Sequence, residues 1–118
     1  MTHKNLEVWH KSIKYVTLIY KVTNSFPKEE MYGLTSQIRR CAISIPSNIA
    51  EGAARRSKLE FRQFLYIALS SGSELETQII ISRELNFINA TSAGQLLDEL
   101  SIIAKMVPGL IKSLNITN

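Results

Sequence analysis

An apolar stripe that continues through a proline is the feature that most constrains the fold of this chain. Its members recur at steps of three or four residues: Leu34, Ile38, Cys41, Ile45 and Ile49. This spacing is typical of one buried face of an α-helix. Pro46 disfavours a helix interior because it has no backbone N–H and its ring crowds the carbonyl four residues back. Since the stripe continues beyond Pro46, we predict a kinked but continuous helix, with Ser44 or Ser47 bonding the freed backbone groups.

Apolar residues at the same spacing predict three further helices. The four predicted helices cover about residues 5–23, 30–52, 58–86 and 93–115. No alternating apolar runs bounded by hairpin turns occur, so we predict no strands. Four amphipathic helices with short connections indicate a single all-α domain, residues 1–118, folded as an antiparallel up-down-up-down four-helix bundle.

Local signals predict several helix ends. Gly52 is the expected stop of the second helix, since glycine accepts the left-handed conformation found past helix ends. Residues 57–60 (Ser-Lys-Leu-Glu) fit a capping box at the start of the third helix, and residues 92–95 (Ser-Ala-Gly-Gln) fit another at the start of the fourth. Pro108 should kink the fourth helix.

The composition indicates a folded protein without a membrane anchor. The longest unbroken apolar run, residues 64–69, is far shorter than the roughly 20 residues of a spanning helix. The first eleven residues, MTHKNLEVWHK, contain no apolar signal core. Cys41 is the only cysteine, so no internal disulfide is expected, and its place on the apolar stripe favours a buried, unreactive thiol. We therefore expect a cytoplasmic protein.

Basic residues are concentrated in one part of the chain. The formal net charge is +4, and residues 35–62 alone hold five Arg, one Lys and two Glu. The cations that gather at the predicted start of the third helix are Arg55, Arg56, Lys58 and Arg62. The helix dipole and unpaired N–H groups also favour an anion there. This turn is a candidate nucleic-acid-binding site through phosphate contacts; the alternative is a solvated basic turn with Glu60 as partial counter-charge.

Lys11 and Lys14 are a second candidate for phosphate contact. They lie on the side of the first predicted helix opposite its apolar stripe, which is Leu6, Trp9, Ile13, Val16 and Tyr20. Lysines on such a face are more often a solvated surface than a ligand site. We keep both interpretations for this pair.

The sequence contains no motif for catalysis or cofactor binding. A phosphate-binding glycine loop, an HExxH pair and a GxSxG elbow are all missing. The carboxylates that could suggest a di-metal site are Glu51, Glu74, Glu76 and Glu84. Such a site needs Glu-x-x-His pairs on two helices, but His3 and His10 both flank the start of the first helix. We therefore expect no catalytic residues, metal or cofactor, and no enzymatic activity.

The second and third predicted helices should pack antiparallel about the turn between them. Counting outward equally from that turn places Arg39 and Arg40 near Glu74, and Ser44 near residues 68–71. We predict an Arg–Glu ion pair there. A partly buried pair of this kind can fix the register of two helices.

The third predicted helix is apolar on more than one side. Besides its main seam it carries Tyr66, Ile67 and Leu69. A helix of this kind has more than one buried contact. We therefore predict a homo-oligomer.

Three long segments resemble a known family. They are LEVWHKSIKY, FPKEEMYGLTSQIRRCAISIPSNIAEGAARRS and EFRQFLYIALSSGSELETQI, and SIPSNIAEG is the most specific part. In this order they are similar to the four-helix-bundle proteins encoded in intervening sequences of bacterial 23S rRNA genes. The resemblance implies a four-helix bundle that assembles into a ring-like pentamer and has no established enzymatic activity. It also implies kinship with the accessory protein of diversity-generating retroelements, a basic pentamer that binds nucleic acid and the reverse transcriptase.

Two functions of different classes remain open. The first is a non-enzymatic oligomeric bundle that binds RNA or DNA through basic surface, within a ribonucleoprotein. The second is a structural or adaptor oligomer whose partner is a protein and whose charge serves only solubility. Retention on nucleic acid that falls steeply with salt would favour the first.

Overall fold

The computed structural model describes residues 2–117 and shows four α-helices. They are α1 (Glu7–Thr23), α2 (Leu34–Ala53), α3 (Lys58–Glu84) and α4 (Ala90–Ser113). Short 3-10 turns at His3–Asn5 and Lys28–Glu30 precede α1 and α2. Residues 2–117 contain no strand. Each helix packs against the helices before and after it, and α1 also packs against α4. The bundle measures 46 × 23 × 23 Å, which confirms the predicted all-α four-helix bundle.

The core lies along the axis of the bundle, between all four helices. Its largest fully buried apolar side chains are Ile19, Ile38, Ile45, Ile49, Leu65, Leu75, Ile79 and Val107. Seven of these come from stripes that the helical periodicity predicted, on α2, α3 and α4. The prediction for α1 is wrong: this helix buries the face with Val8, Tyr15 and Ile19, whereas Ile13 and Tyr20 of its predicted stripe are 39% and 38% exposed. None of the helices within the described residues combines the length and hydropathy needed to span a bilayer.

The helix α2 continues through Pro46, as the apolar stripe predicted. Pro46 is buried, and its missing N–H is tolerated because the surrounding turns remain packed. The hydroxyl of Ser44 does not bond the freed backbone as expected; it hydrogen-bonds Ser71 on α3 at 2.8 Å. Asn48 Nδ2 donates to the Ser44 carbonyl at 2.8 Å, whereas the carbonyl that loses its helical donor to Pro46 is that of Ala42. Pro108 likewise lies inside α4.

Two helices begin at residues other than those predicted. The helix α2 begins at Leu34 rather than near residue 30, because Gly33 has a non-helical backbone (φ −118°, ψ −113°). The capping box predicted at Ser92 is wrong. Asn89 is the N-cap of α4, since its Oδ1 accepts a hydrogen bond from Ser92 N at 2.7 Å.

Gly52 is not a left-handed helix stop. No glycine among residues 2–117 has a positive φ, and α2 continues to Ala53. A Cβ on Gly52 would lie 2.7 Å from Phe64 Cβ and 2.8 Å from Phe61 Cδ1. Glycine is therefore needed here because α2 and α3 approach closely, not for its conformational freedom.

Candidate nucleic-acid interface

The four cations of the candidate phosphate site lie on the α2–α3 turn and the first turns of α3. Arg56 and Lys58 are exposed, and Arg62 is half-buried. Ser57 Oγ accepts a hydrogen bond from Glu60 N at 3.1 Å, as the capping motif predicted. One of the free N–H groups at the start of α3 is thus satisfied within the protein. The exposed side chains of Arg56 and Lys58 add their positive charge to this helix start.

Arg55 is the member of this group that is engaged within the protein. Its Nη2 lies 3.1 Å from Glu51 Oε1, one turn earlier on the chain. Its guanidinium also lies over the Phe64 ring, 4.8 Å from the centroid. Within residues 2–117, Arg56 and Lys58 form no such ion pair. They are the better candidates for an external anion.

The turn belongs to an end of the bundle that is strongly basic. The 3-10 turn before α1 packs against α2, so the start of α1, the α2–α3 turn and the end of α4 lie together. We call residues 2–11, 48–67 and 105–117 the basic end; they carry eight Lys or Arg and three Glu, a net +5. The opposite end, residues 20–39 and 76–97, carries four basic and four acidic residues. The charge is thus polarised along the 46 Å axis.

Lys11, the last residue of the basic end on α1, and Lys14 line a cleft that contains no residue of the α2–α3 turn. Both are exposed on α1, and the cleft, of about 330 Å³, lies between α1 and α4. Neither forms an ion pair within the described residues. The structure therefore separates the two candidate groups of cations into two surfaces.

The predicted ion pair between Arg39 or Arg40 and Glu74 is not formed. Arg39 turns toward α1, where its Nε donates to Thr23 Oγ1 at 2.9 Å, and its guanidinium lies 4.4 Å from the centroid of the Tyr20 ring. Arg40 is exposed and has no ion pair within residues 2–117. Counting residues outward from the turn predicted which residues of α2 lie opposite which residues of α3. It did not predict the direction in which each side chain points.

Glu74 instead accepts a hydrogen bond from the thiol of Cys41. The distance from Cys41 Sγ to Glu74 Oε2 is 3.0 Å. Burial, and then the bond to Glu74, raise the pKa of the Cys41 thiol to about 11. Cys41 is buried and protonated at neutral pH, which agrees with the unreactive thiol expected for the apolar stripe.

The stretch SIPSNIAEG supplies the face of α2 that packs against α3. Ser44, Asn48 and Gly52 follow each other at steps of four residues, and Cys41 extends the row by one turn. Ser44 bonds Ser71, and Asn48 Nδ2 also donates to Ser44 Oγ at 2.9 Å. These small and polar residues allow a closer approach than a row of large apolar side chains would. The structure assigns the stretch a packing role.

Apolar side chains are exposed on several sides of the bundle, two of which bear on the predicted assembly. The first side is a groove of about 410 Å³ between α1 and α2, whose exposed members include Ile13 and Ile43. The second is α3, where Tyr66 and Ile67 are 52% and 47% exposed. Leu69, predicted as a surplus apolar residue, instead packs against the core of its own bundle.

The α1–α4 cleft contains two residues that the sequence did not single out. Tyr15 is buried and its hydroxyl donates to the Leu96 carbonyl at 2.8 Å. Burial, and then the nearby Glu99 carboxylate, raise the pKa of Tyr15 far above its ordinary value. The periodicity of α1 placed Tyr15 outside its predicted stripe, so only packing against α4 reveals its role. Among the described residues no cluster of three or more His, Cys, Asp or Glu could hold a metal ion.

Comparisons with known proteins agree with the fold. A family model described as 23S rRNA-intervening sequence protein matches residues 4–109. The chain is also similar to the crystal structure of a protein with unknown function from the S23 ribosomal protein family of Bacteroides thetaiotaomicron VPI-5482. The two are 25% identical with a TM-score of 0.80, over 89% of this chain and 98% of that chain. No curated protein matches. Because the family model covers most of its length and the bundle agrees with it, this chain belongs to the family of 23S rRNA-intervening sequence proteins.

Proposed function

We propose that this protein is a non-enzymatic oligomeric bundle that binds RNA or DNA through its basic end. The observation that supports this most directly is the polarised charge. The basic end carries a net +5, whereas the opposite end is neutral. A surface of one sign attracts polyanions and accelerates their association.

The contact with nucleic acid is expected to be made by phosphates rather than by base edges. Arg56 and Lys58 are exposed, form no ion pair within the described residues and lie two residues apart where the turn meets α3. Lysine and arginine on an exposed turn suit phosphate oxygens, which carry no sequence information. Binding by this end is therefore sequence-tolerant and weak for a single bundle.

The experiment is a titration of labelled single-stranded and duplex oligonucleotides at several salt concentrations. The double variant Arg56→Ala/Lys58→Ala should weaken binding across all sequences. It should also flatten the slope of log affinity against log salt by about 0.7 per lost contact on a single strand and about 0.9 on a duplex.

The matched control is Lys21→Ala/Lys28→Ala, which removes the same charge from the opposite, neutral end. This control should leave the slope unchanged. If both double variants flatten the slope equally, the net charge and not the basic end drives binding. If the parent protein binds no oligonucleotide at low salt, the proposal fails.

Oligomerisation is the second part of the proposal. The exposed apolar groove between α1 and α2 and the exposed apolar side of α3 are different surfaces of one chain. Contact between two different surfaces is heterologous, and such contacts form rings where the rotation between copies closes and open filaments where it does not. A pentamer is favoured only by the resemblance of the sequence to its family. Repetition of a weak basic end around a ring would raise the affinity for a long polyanion.

A structural or adaptor role with a protein partner is the alternative function. The observation that favours it is Tyr32, which is 98% exposed beside the half-exposed Met31. Tyrosine and methionine are enriched in protein–protein interfaces. Copurification of one protein at high salt, with no retention on nucleic acid at low salt, would support the adaptor role. The cytoplasmic location, the lack of enzymatic activity and the kinship with the retroelement accessory protein stay predictions.

A further inference from the structure

The cleft between α1 and α4 combines an apolar interior with charged groups at its edge. Leu18, Ile102 and Ile103 supply apolar walls, and the buried ring of Tyr15 lies between the two helices. The volume of about 330 Å³ is within the range of small-molecule sites. The cleft is open to solvent on one side, since Ile102 is 50% exposed.

The cleft exists because the contacts between neighbouring helices are not equally extensive. The contact between α2 and α3 is the most extensive of the neighbouring pairs, and that between α1 and α4 is the least extensive. Small residues draw α2 and α3 together, as the contact of Gly52 with Phe64 shows. On the other side, Tyr15 bridges the gap through its 2.8 Å hydrogen bond to the Leu96 carbonyl. That bond fixes the orientation of the ring between the two helices.

Charged groups of both signs line the same cleft without neutralising one another. Lys11 and Lys14 are exposed at its edge, and Glu99 is half-buried in its lining. No ion pair joins Glu99 to either lysine among the described residues. The two ammonium groups are thus available to an anion, and the carboxylate is available to a hydrogen-bond donor.

This set of groups matches a nucleotide whose base carries N–H donors. A carboxylate only accepts hydrogen bonds, whereas guanine offers two adjacent N–H donors on its Watson–Crick edge. The flat base suits the apolar walls, and the phosphates suit the lysines. In a duplex that edge is paired and the base is stacked, so only an unpaired guanine can enter.

We propose that the α1–α4 cleft binds an unpaired guanine nucleotide, with Glu99 accepting from the base and Lys11 and Lys14 contacting the phosphates. The same chemistry is offered by guanine in a single strand and by free guanosine monophosphate. Where the guanine belongs to a strand, the inference rests on the proposed nucleic-acid binding. It adds a preference for single strands and for guanine that the basic end alone does not provide.

The test measures fluorescence anisotropy with four labelled thymidine decamers that differ at one central position. That position holds guanine, adenine, thymine or no base. A hydrogen bond to a charged group contributes about 1.5–3 kcal/mol, so the bond from guanine to Glu99 should make the guanine decamer bind at least tenfold more tightly than the abasic decamer. Lys11→Ala/Lys14→Ala should weaken the binding of all four decamers.

Glu99→Gln and Asp98→Asn form the matched pair of variants. Both remove one negative charge, but only Glu99 lines the cleft, whereas Asp98 is exposed beside it. Glu99→Gln should abolish the preference for guanine over adenine, and Asp98→Asn should retain it. Equal behaviour of the two variants would overturn the role of Glu99.

The remaining outcomes separate this inference from the proposed function. Equal binding of the guanine and abasic decamers would overturn the cleft site and leave the proposed function standing. Binding of guanosine monophosphate without binding of any decamer would support the cleft and overturn the proposed function. If Ile102→Glu reduces the oligomer to monomers but leaves the preference for guanine unchanged, the cleft is an interface between copies of the chain and the inference is wrong.

Discussion

At the scale of a single residue, the absence of a side chain at Gly52 allows α2 and α3 to lie close together. A Cβ added there would approach Phe64 Cβ to 2.7 Å, and that atom is tied to the backbone of α3 and cannot move aside alone. We predict that Gly52→Ala destabilises the protein by about 1–3 kcal/mol, because the helices must separate to admit the methyl group. This loss outweighs the gain of up to about 1 kcal/mol that alanine brings to a helix interior. The midpoint of urea unfolding measures the difference.

The control for this prediction is Gly94→Ala. Gly94 lies inside α4, and a Cβ there would meet no atom within 4 Å. The same substitution should therefore stabilise the protein, by up to about 1 kcal/mol. A Gly52→Ala variant as stable as Gly94→Ala would show that the α2–α3 contact does not require glycine.

At the scale of the element, the residue at which α4 begins depends on which polar side chain caps the helix. Asn89 and Ser92 both have side chains that cap helices well, but only Asn89 Oδ1 accepts from a backbone N–H, at 2.7 Å from Ser92 N. We predict that Asn89→Ala lowers the free energy of unfolding by about 1 kcal/mol. Chemical denaturation followed by circular dichroism measures this change.

Ser92→Ala is the comparison for the cap. Ser92 lies within the first turn of α4, and its side chain is not the cap. Its replacement should change the stability by less than half as much as Asn89→Ala, since alanine favours the helix interior. If the two variants had the opposite order of stability, Ser92 would be the cap in solution and α4 would begin later.

At the scale of the whole molecule, two different apolar surfaces are expected to form the contacts between copies of the chain. The exposed Ile67 lies on α3, and the exposed Ile43 lies in the groove between α1 and α2. We predict that Ile67→Glu and Ile43→Glu each convert the oligomer to monomers that retain their helical circular dichroism. A buried charge at an apolar interface costs more than the contact contributes. Light scattering coupled to size exclusion gives the mass.

Mixing the two variants tests whether the contact is heterologous. Each variant keeps one intact surface, so an equimolar mixture should form dimers that cannot grow further. Thr77→Glu, an exposed change of equal charge on α3, should leave the oligomer intact. A parent protein that is a monomer at micromolar concentration would contradict the assembly.

Helical periodicity was enough to predict much of this molecule from its sequence. The stripe from Leu34 to Ile49 predicted a helix through Pro46, and α2 continues through it. The same kind of spacing predicted the buried faces of α2, α3 and α4, because a helix buries the face that carries most of its apolar residues. It selected the wrong face of α1, which carries apolar residues on two sides and buries the one with Tyr15 and Ile19. Local hydrogen bonding also predicted the Ser57 cap, since its partner lies only three residues away.

Only the tertiary structure decided which side chains meet across helices. Arg39 bonds Thr23 and not Glu74, because the direction of a long side chain depends on neighbours from other helices. The roles of Gly52 and of the cleft lined by Tyr15 and Glu99 depend on distances between helices that are far apart in the chain. The periodicity of one helix carries no information on those distances, which are set by how small residues on α2 and large ones on α1 fill the space between helices.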